Sequence, residues 1–377
     1  MKLSATQENL NQGLLVVSHV AAKSTSLPIL NNILIKAEGG SIKLLSTNLE
    51  IGVTCVIRGK VEKDGSFTVQ SRLLADYVNL LPKKNVNLEV LEEEDKEGTL
   101  NIKCENYSTK IKGASSNDFP LIPEIDKKNP VTVSASELRQ AISQTIFAVA
   151  ASETRPEISG VLLSVAGDQL TLAATDSYRL AEKTIKIKGG KETKVIVPAR
   201  TMQEILRILS SFKDPSAIEN IENVKLYITE NQILFVVDNI ELISRLVEGQ
   251  YPDYRQIIPE QNKTKASLDK QELVKATKTA SLFTRSGIYD VNLDFSVAGK
   301  KLIVSSTNNQ LGENISELDA KLEGEENNIV VNYKYLLDGL AVMESDDVAL
   351  EMNDSSNPCV LKSQDKDYIY IVMPIKQ

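Results

Sequence analysis

Apolar and polar positions alternate with a period of two along much of this chain, and at intervals the apolar period lengthens to three or four. The alternating runs come in matched pairs. LPILNNILIKAEGGSIKLLSTNLE (27–50), PEISGVLLSVAGDQLTLAATDSYR (156–179) and IYDVNLDFSVAGKKLIVSSTNNQL (288–311) share one layout: an alternating run, a Gly-containing turn, a second run, then Thr-Asn or Thr-Asp. Such runs around a short Gly turn predict β-hairpins. The threonines stand at 47, 175 and 307, spaced by 128 and 132 residues.

The longer period predicts helices, and these repeat in the same phase. TQENLNQGLLVVSHVAAK, SASELRQAISQTIFAVAAS and DKQELVKATKTASLFTRSG align on Leu10, Leu138 and Leu273, at spacings of 128 and 135. VQSRLLADYVNLL, VPARTMQEILRIL and VNYKYLLDGLAVM align on Arg72, Arg200 and Lys334, at spacings of 128 and 134. The six helices are expected over 7–23, 71–84, 134–153, 200–213, 269–285 and 333–344. Ser134, Ser136 and Asp269 offer N-caps. Pro82 ends the second helix after Leu81, because proline cannot continue the hydrogen-bond ladder. The fold class is therefore α+β, with three repeats of roughly 125 residues, each reading helix, strands, helix, strands. Pro-rich polar stretches at 117–130 and 251–266 read as linkers. Domains are expected at 1–122, 130–252 and 253–377.

Composition then narrows the classes. A chain of 377 residues can build three domains of ordinary size, and 42% apolar with 25% charged residues is a globular balance. No apolar run approaches the ~20 residues of a membrane helix. The N-terminus lacks the basic start and unbroken apolar stretch of a signal peptide, so a cytoplasmic location is expected. Cys55, Cys104 and Cys359 are odd in number and sit in strand-like runs, which predicts buried free thiols. A net charge of −8 argues against a nucleic-acid partner only if it is evenly spread. It is not. The six helical stretches hold thirteen Lys and Arg against nine Asp and Glu, so the acidic excess lies elsewhere.

SLPILNNILI, STNLEIGV, SNDFPLIP, ETRPEISGVLL, ATDSYRLA, VIVPAR, LVEGQYPDYRQIIP and YIVMPIKQ occur in this order along essentially the whole chain. Together they resemble the bacterial DNA polymerase III β subunits, the sliding clamps. The resemblance implies a head-to-tail homodimer: three clamp domains per chain, two helices of each packed on antiparallel sheets, closed as a ring around duplex DNA. It implies a non-catalytic processivity factor for the replicative DNA polymerase, with a clamp loader and other clamp-binding-motif proteins as further partners. No cofactor, metal or membrane is implied. A protein that slides needs sequence-independent phosphate contacts, and a basic lining within an acidic exterior would supply them.

The resemblance also places residues. A partner-peptide pocket would take Ile158, Thr175, Ser177, Tyr178, Arg179 and Leu180 from the second repeat. Pro252 and Ile257 come from the linker, and Ser356, Pro358, Ile371, Met373, Pro374 and Ile375 from the C-terminal end. By period alone, VMPI is a last core strand and Leu180 a core residue. The DNA-facing set is Lys23, Arg72, Arg139, Arg200, Arg207, Lys270, Lys275, Lys278 and Lys334, each of which reads equally well as part of a solvated helix face. Thr109, Lys110 and Ile111, packing against Leu273 and Val274, would join the two copies. Ser177-Tyr178 departs from a Gly-His pair found in some relatives, which bears on the pocket rim.

An enzymatic alternative rests on ATDSYRLA, where Asp176, Ser177 and Arg179 resemble the parts of a small-molecule hydrolase. Its Thr-Asp opening recurs in two other repeats, which points to architecture instead. The one histidine, His19, lies on an apolar helix and is expected to be packed or half-exposed. No Walker loop, HExxH, paired CxxC or dinucleotide fingerprint is present. GGK at 189–191 reads as a turn, and EEEDKEG at 92–98 as a solvated hairpin loop.

Overall fold

Each repeat begins with a short strand whose last residues lead into a helix. Thr6 accepts a hydrogen bond from the backbone N–H of Asn9, and Asp269 accepts one from Glu272. Both fill donors that a helix start leaves unsatisfied. Ser134 and Ser136 stand at the third such start, with hydroxyl oxygens 2.9 Å apart. The computed structural model describes residues 1–21, 27–91, 98–151, 154–211, 222–284 and 287–376. Lys23 and the acidic run at 92–97 lie outside the described residues.

In the first repeat β1 (Lys2–Thr6), α1 (Gln7–Ser18), β2 (Asn32–Glu38), β3 (Ser41–Thr47) and β4 (Ile51–Ile57) come first. Then follow β5 (Lys60–Lys63), β6 (Gly65–Gln70), α2 (Ser71–Leu80), β7 (Asn85–Leu91), β8 (Thr99–Cys104) and β9 (Tyr107–Ala114). The second runs β10 (Val131–Ser134), α3 (Ala135–Thr145), β11 (Gly160–Ala166), β12 (Gln169–Thr175) and β13 (Arg179–Lys188). It ends with β14 (Thr193–Pro198), α4 (Ala199–Ser211), β15 (Asn223–Ile228), β16 (Gln232–Val237) and β17 (Ile240–Arg245). The third has β18 (Thr264–Asp269), α5 (Lys270–Ser281), β19 (Asp290–Ser296), β20 (Lys301–Asn308), β21 (Gly312–Asp319) and β22 (Lys321–Gly324). It closes with β23 (Asn327–Asn332), α6 (Tyr333–Ala341), β24 (Asp347–Met352), β25 (Cys359–Lys362) and β26 (Tyr368–Val372).

The helices are shorter than the apolar period suggests. α2 stops at Leu80 and Leu81 is already extended, one residue before Pro82. After α3 the chain tightens into a 3-10 turn at Ile146–Ala148. The three alignment leucines, Leu10, Leu138 and Leu273, are all fully buried, so each first helix turns the same face to its core. Cys55, Cys104 and Cys359 are buried free thiols. Gly189 and Gly190 both have positive φ, 74° and 92°, and make the expected turn after β13.

The recurring Thr-Asn/Asp loop has a structural role that the coordinates make plain. Thr47 donates to the Ile51 carbonyl (2.9 Å) and accepts from the Leu49 N–H, while Asn48 accepts from Glu50 and Ile51. Thr175 donates to the Arg179 carbonyl (2.6 Å) and accepts from the Ser177 N–H, while Asp176 accepts from Tyr178 and Arg179. The middle residue has φ of 77° in both loops, at Leu49 and at Ser177. In the third copy Asn308 still accepts from Gln310 and Leu311. These side chains satisfy the backbone of a turn.

Packing divides the chain into two compact bodies. One is Met1–Ser136 with Lys188–Gly190 and Gln203–Leu246; the other is Glu137–Ile187 with Lys191–Met202 and Val247–Gln377. The division falls inside the second repeat because that repeat shares strands with both neighbours. In the first body β17 pairs with β4 (Ile240↔Cys55, Leu242↔Val53, Ser244↔Ile51), so β2–β3–β4 continues into β17–β16–β15–β10. In the second body β13 pairs with β26 (Lys183↔Tyr368, Ala181↔Tyr370, Arg179↔Val372). This joins β14–β11–β12–β13 to β26–β25–β24–β18–β22. Moved by the repeat spacing of 128, the first set of partners becomes the second, so the two junctions have one register. The second body also holds a four-stranded sheet, β21–β20–β19–β23.

Candidate functional site

β13 leaves the Thr175–Arg179 turn and runs beside the last strand, which sets Leu180 opposite Ile371. Those two pack with Leu162, Ala173, Tyr254 and Val360, and the half-buried Tyr251, Ile258 and Ile369 lie against them. Burying a Leu or Ile side chain contributes about 2 kcal/mol, so this apolar floor holds itself together. After β26 the chain stays tied down: Met373 N–H donates to the Tyr178 carbonyl (2.9 Å), Pro374 bridges to Val331, and Ile375 N–H donates to the Val330 carbonyl (2.8 Å). Met373, Pro374 and Ile375 are half-buried there, and Tyr178 is 63% exposed on the adjoining turn. Pro252 and Ile257 flank Tyr254 on the linker, Ile257 partly exposed. The result is an apolar floor with a Met, Tyr and Pro rim, all within the second body.

Several residues placed here by resemblance have other positions. Ile158, Pro358 and Thr175 are buried beneath the surface, and Ser356 is exposed on the loop before β25. Arg179 is corrected outright. Its side chain is only 11% exposed and its donors are engaged: Nε to Asp176 (3.0 Å), Nη1 to Asp338, and Nη2 to the Phe147 carbonyl (2.7 Å). Its guanidinium lies between the rings of Phe147 and Tyr335. Arg179 therefore buttresses the pocket loop from behind and offers nothing to a ligand.

Tyr251, Tyr254, Val360 and Arg155 were not legible as site residues. Tyr254 donates to Glu182, and burial, with that bond second, pushes its phenol above the ordinary range. Its pattern YPDYR offered a signal, an aromatic pair in an otherwise polar linker. Arg155 offered none. It donates to Ser177 Oγ (2.9 Å) and to Glu157 (3.1 Å), which brings a half-exposed guanidinium to the rim. Glu157 is held below the usual carboxylate range by its own backbone N–H and then by Arg155.

The hydrolase alternative finds no support in this geometry. Asp176 is occupied by two backbone N–H groups and Arg179, and Ser177 Oγ accepts from Arg155, so neither meets a general base. His19 is the C-cap of α1 and is exposed, more so than its apolar surroundings suggested.

The basic helix residues also divide. Arg72, Arg200, Lys275 and Lys278 are exposed, and Arg139 is half-buried. Arg72 lies 3.7 Å from Asp76, a solvent-screened pair. The ammonium of the exposed Lys334 stands 3.4 Å above the centre of the Tyr289 ring. Two assignments are corrected, because helix-end carbonyls already take these charges. Arg207 donates to the Leu15 and Val16 carbonyls and to Glu204, and Lys270 donates to the Met343 carbonyl (2.7 Å).

Thr109, Lys110 and Ile111 lie on β9, which pairs with β8 along one edge and touches β6 only at Gly113 and Ala114. β21 pairs with β20 along one edge. Leu273 is corrected as an intersubunit contact: like Leu10 and Leu138 it is fully buried in its own core. The exposed apolar residue of that helix end is Leu282, at 70%.

Comparison with known proteins agrees along the whole chain. Family models of the DNA polymerase III beta subunit match its N-terminal domain at residues 1–123, its central domain at 132–253 and its C-terminal domain at 255–376. Beta sliding clamps of Staphylococcus aureus and Staphylococcus epidermidis are 32% and 31% identical over 363 residues, 93% of this chain and 93% of each relative. The solved DNA polymerase sliding clamp of Bacillus subtilis superposes with a TM-score of 0.91 at 27% identity, covering 100% of this chain and 99% of the other.

Proposed function

This chain belongs to the DNA polymerase III beta subunit family of sliding clamps, non-catalytic processivity factors, and from that premise we propose how its own residues do the work. Two copies close head to tail into a ring around duplex DNA, each contributing domains 1–122, 130–252 and 253–377. The observation that carries this reading is the shared register of β4–β17 and β13–β26. β9 occupies in the first repeat the place of β17 and β26. β21 occupies in the third the place of β4 and β13. A third junction of the same kind needs β21 of one copy and β9 of another, with Tyr107 opposite Ser316, Thr109 opposite Asn314 and Ile111 opposite Gly312. Charge supports the pairing, since β9 carries Lys110 and Lys112 and β21 carries Glu313, Glu317 and Asp319. A head-to-tail contact of unlike surfaces closes only when the rotation completes a ring.

Arg72, Arg139, Arg200, Lys275, Lys278 and Lys334 supply the phosphate contacts, sequence-independent and weakened by salt. The floor of Leu180, Ile371 and Tyr254 beneath Tyr178, Met373 and Pro374 takes a short peptide with apolar anchors, from the polymerase, a clamp loader and other partners. Met373 adapts to varied anchors through its flexible thioether. The protein acts in the cytoplasm, where bacterial DNA is replicated.

Retention on DNA tests the reading. Clamps assembled on nicked circular DNA should stay bound through gel filtration at moderate salt and leave once the circle is cut. Equal retention on both forms would show ordinary affinity and defeat enclosure.

A further inference from the structure

The two junctions inside the chain are more than strand pairs, because a helix end is tied down beside each. At the first, Arg207 of α4 donates from Nη2 to the Val16 carbonyl (2.8 Å) and from Nη1 to the Leu15 carbonyl (3.3 Å), at the end of α1. At the second, Gln144 of α3 donates to the Val342 carbonyl (3.4 Å), at the end of α6. A charged fork on helix-end carbonyls is the stronger device, since it meets both unsatisfied acceptors and the negative end of the helix.

The spacing of 128 that carries β1 onto β10 and α2 onto α4 puts Asn79 where the second repeat has Arg207. It also puts Leu73 in the place of Thr201 and Leu80 in the place of Ile208. Thr201 and Ile208 are fully buried, whereas Leu73 is 48% and Leu80 is 81% exposed. On α5, the counterpart of α1 and α3, the place of Gln144 is taken by Thr279, whose hydroxyl is turned back onto the Lys275 and Ala276 carbonyls. Leu282 follows it, exposed.

We propose that the outward face of α2 is a docking surface for the end of α5 in a second copy, and that Asn79 makes this junction the weak seam of the ring. The occupant is a second copy because the same positions in α4 are already covered within the chain, and because β9 and β21 bring opposite charges to the adjoining edge. Leu73 and Leu80 cover Leu282, while the short neutral amide of Asn79 cannot bridge two carbonyls as Arg207 does. A ring with one weak junction type opens there and stays shut at the other two. The inference rests on the ring reading above.

Sedimentation equilibrium of the full chain tests both parts. Asn79→Arg should tighten the dimer roughly tenfold, the worth of a charge-assisted hydrogen bond pair, and prolong retention on circular DNA. Leu80→Lys should loosen the dimer at least tenfold while leaving the thermal unfolding of the monomer unchanged. A wild-type chain that stays monomeric at all concentrations would overturn the ring itself. A wild-type dimer that Leu80→Lys leaves intact would overturn the α2 surface alone, and one that Asn79→Arg fails to tighten would overturn the role of Asn79. If Asn79→Arg does not fold, Asn79→Lys carries the same expectation with a smaller gain.

Discussion

Leu49 and Ser177 hold φ near 77°, a region that costs a non-glycine residue roughly 1–2 kcal/mol. Leu49 is half-exposed and its side chain is not needed for the turn, which Thr47 and Asn48 build. Leu49→Gly should therefore stabilise the fold by about 0.5–1 kcal/mol, the strain relieved less the extra chain entropy of glycine. Thermal unfolding would register a raised Tm, and a lowered one would show that Leu49 packs on something essential. Burial pushes the thiols of Cys55 and Cys359 up from 9.0 to about 12. A group raised on folding binds its proton more tightly in the native state, so stability is flat below pH 9 and falls as pH climbs toward 12. Denaturant midpoints measured from pH 8 to 11 should show that decline. Iodoacetamide at pH 8 should leave both thiols unlabelled until the chain unfolds.

At the scale of elements, the repeated loop was legible as a pattern, but its chemistry was not. Thr-Asn/Asp after an alternating run says turn; only the assembled hairpin says that the threonine hydroxyl faces inward to its own backbone. The pocket loop depends on elements far away in sequence, since Arg179 bonds Asp338 across 159 positions. Leu180→Ala with Met373→Ala should lower affinity for a clamp-binding peptide more than tenfold, by removing floor and rim together. Fluorescence anisotropy of a labelled peptide would measure this, and unchanged affinity would move the site elsewhere. Arg207→Ala leaves Glu204, which is buried, without its partner and frees two helix-end carbonyls. It should cost about 2 kcal/mol in chemical denaturation.

At the scale of the whole molecule the charge pattern becomes useful. Lys110→Glu with Lys112→Glu should separate the copies by setting like charges on β9 and β21. Adding Glu313→Lys with Glu317→Lys should restore the dimer, because the reversed pairs are again complementary. Light scattering reads both states. Failure of the second pair of changes to rescue the first would argue that these edges do not meet.

The sequence by itself determined the repeat, the hairpins, the starts of the helices and the buried thiols, because each is written in a short window: a period, a cap, a turn residue. It also carried the family, through stretches spread over the entire chain. What only the tertiary structure decided was the destination of each polar group. Nothing within ten residues of Arg179 or Arg207 says that one will be enclosed by Phe147 and Tyr335 and the other fixed to carbonyls 191 and 192 positions away. Periodicity identifies which face of Leu273 and Leu282 is apolar, but burial in one's own core and exposure to a second copy have the same local signature. The difference is set by which surfaces the chain has already covered, and that is known only once it has folded.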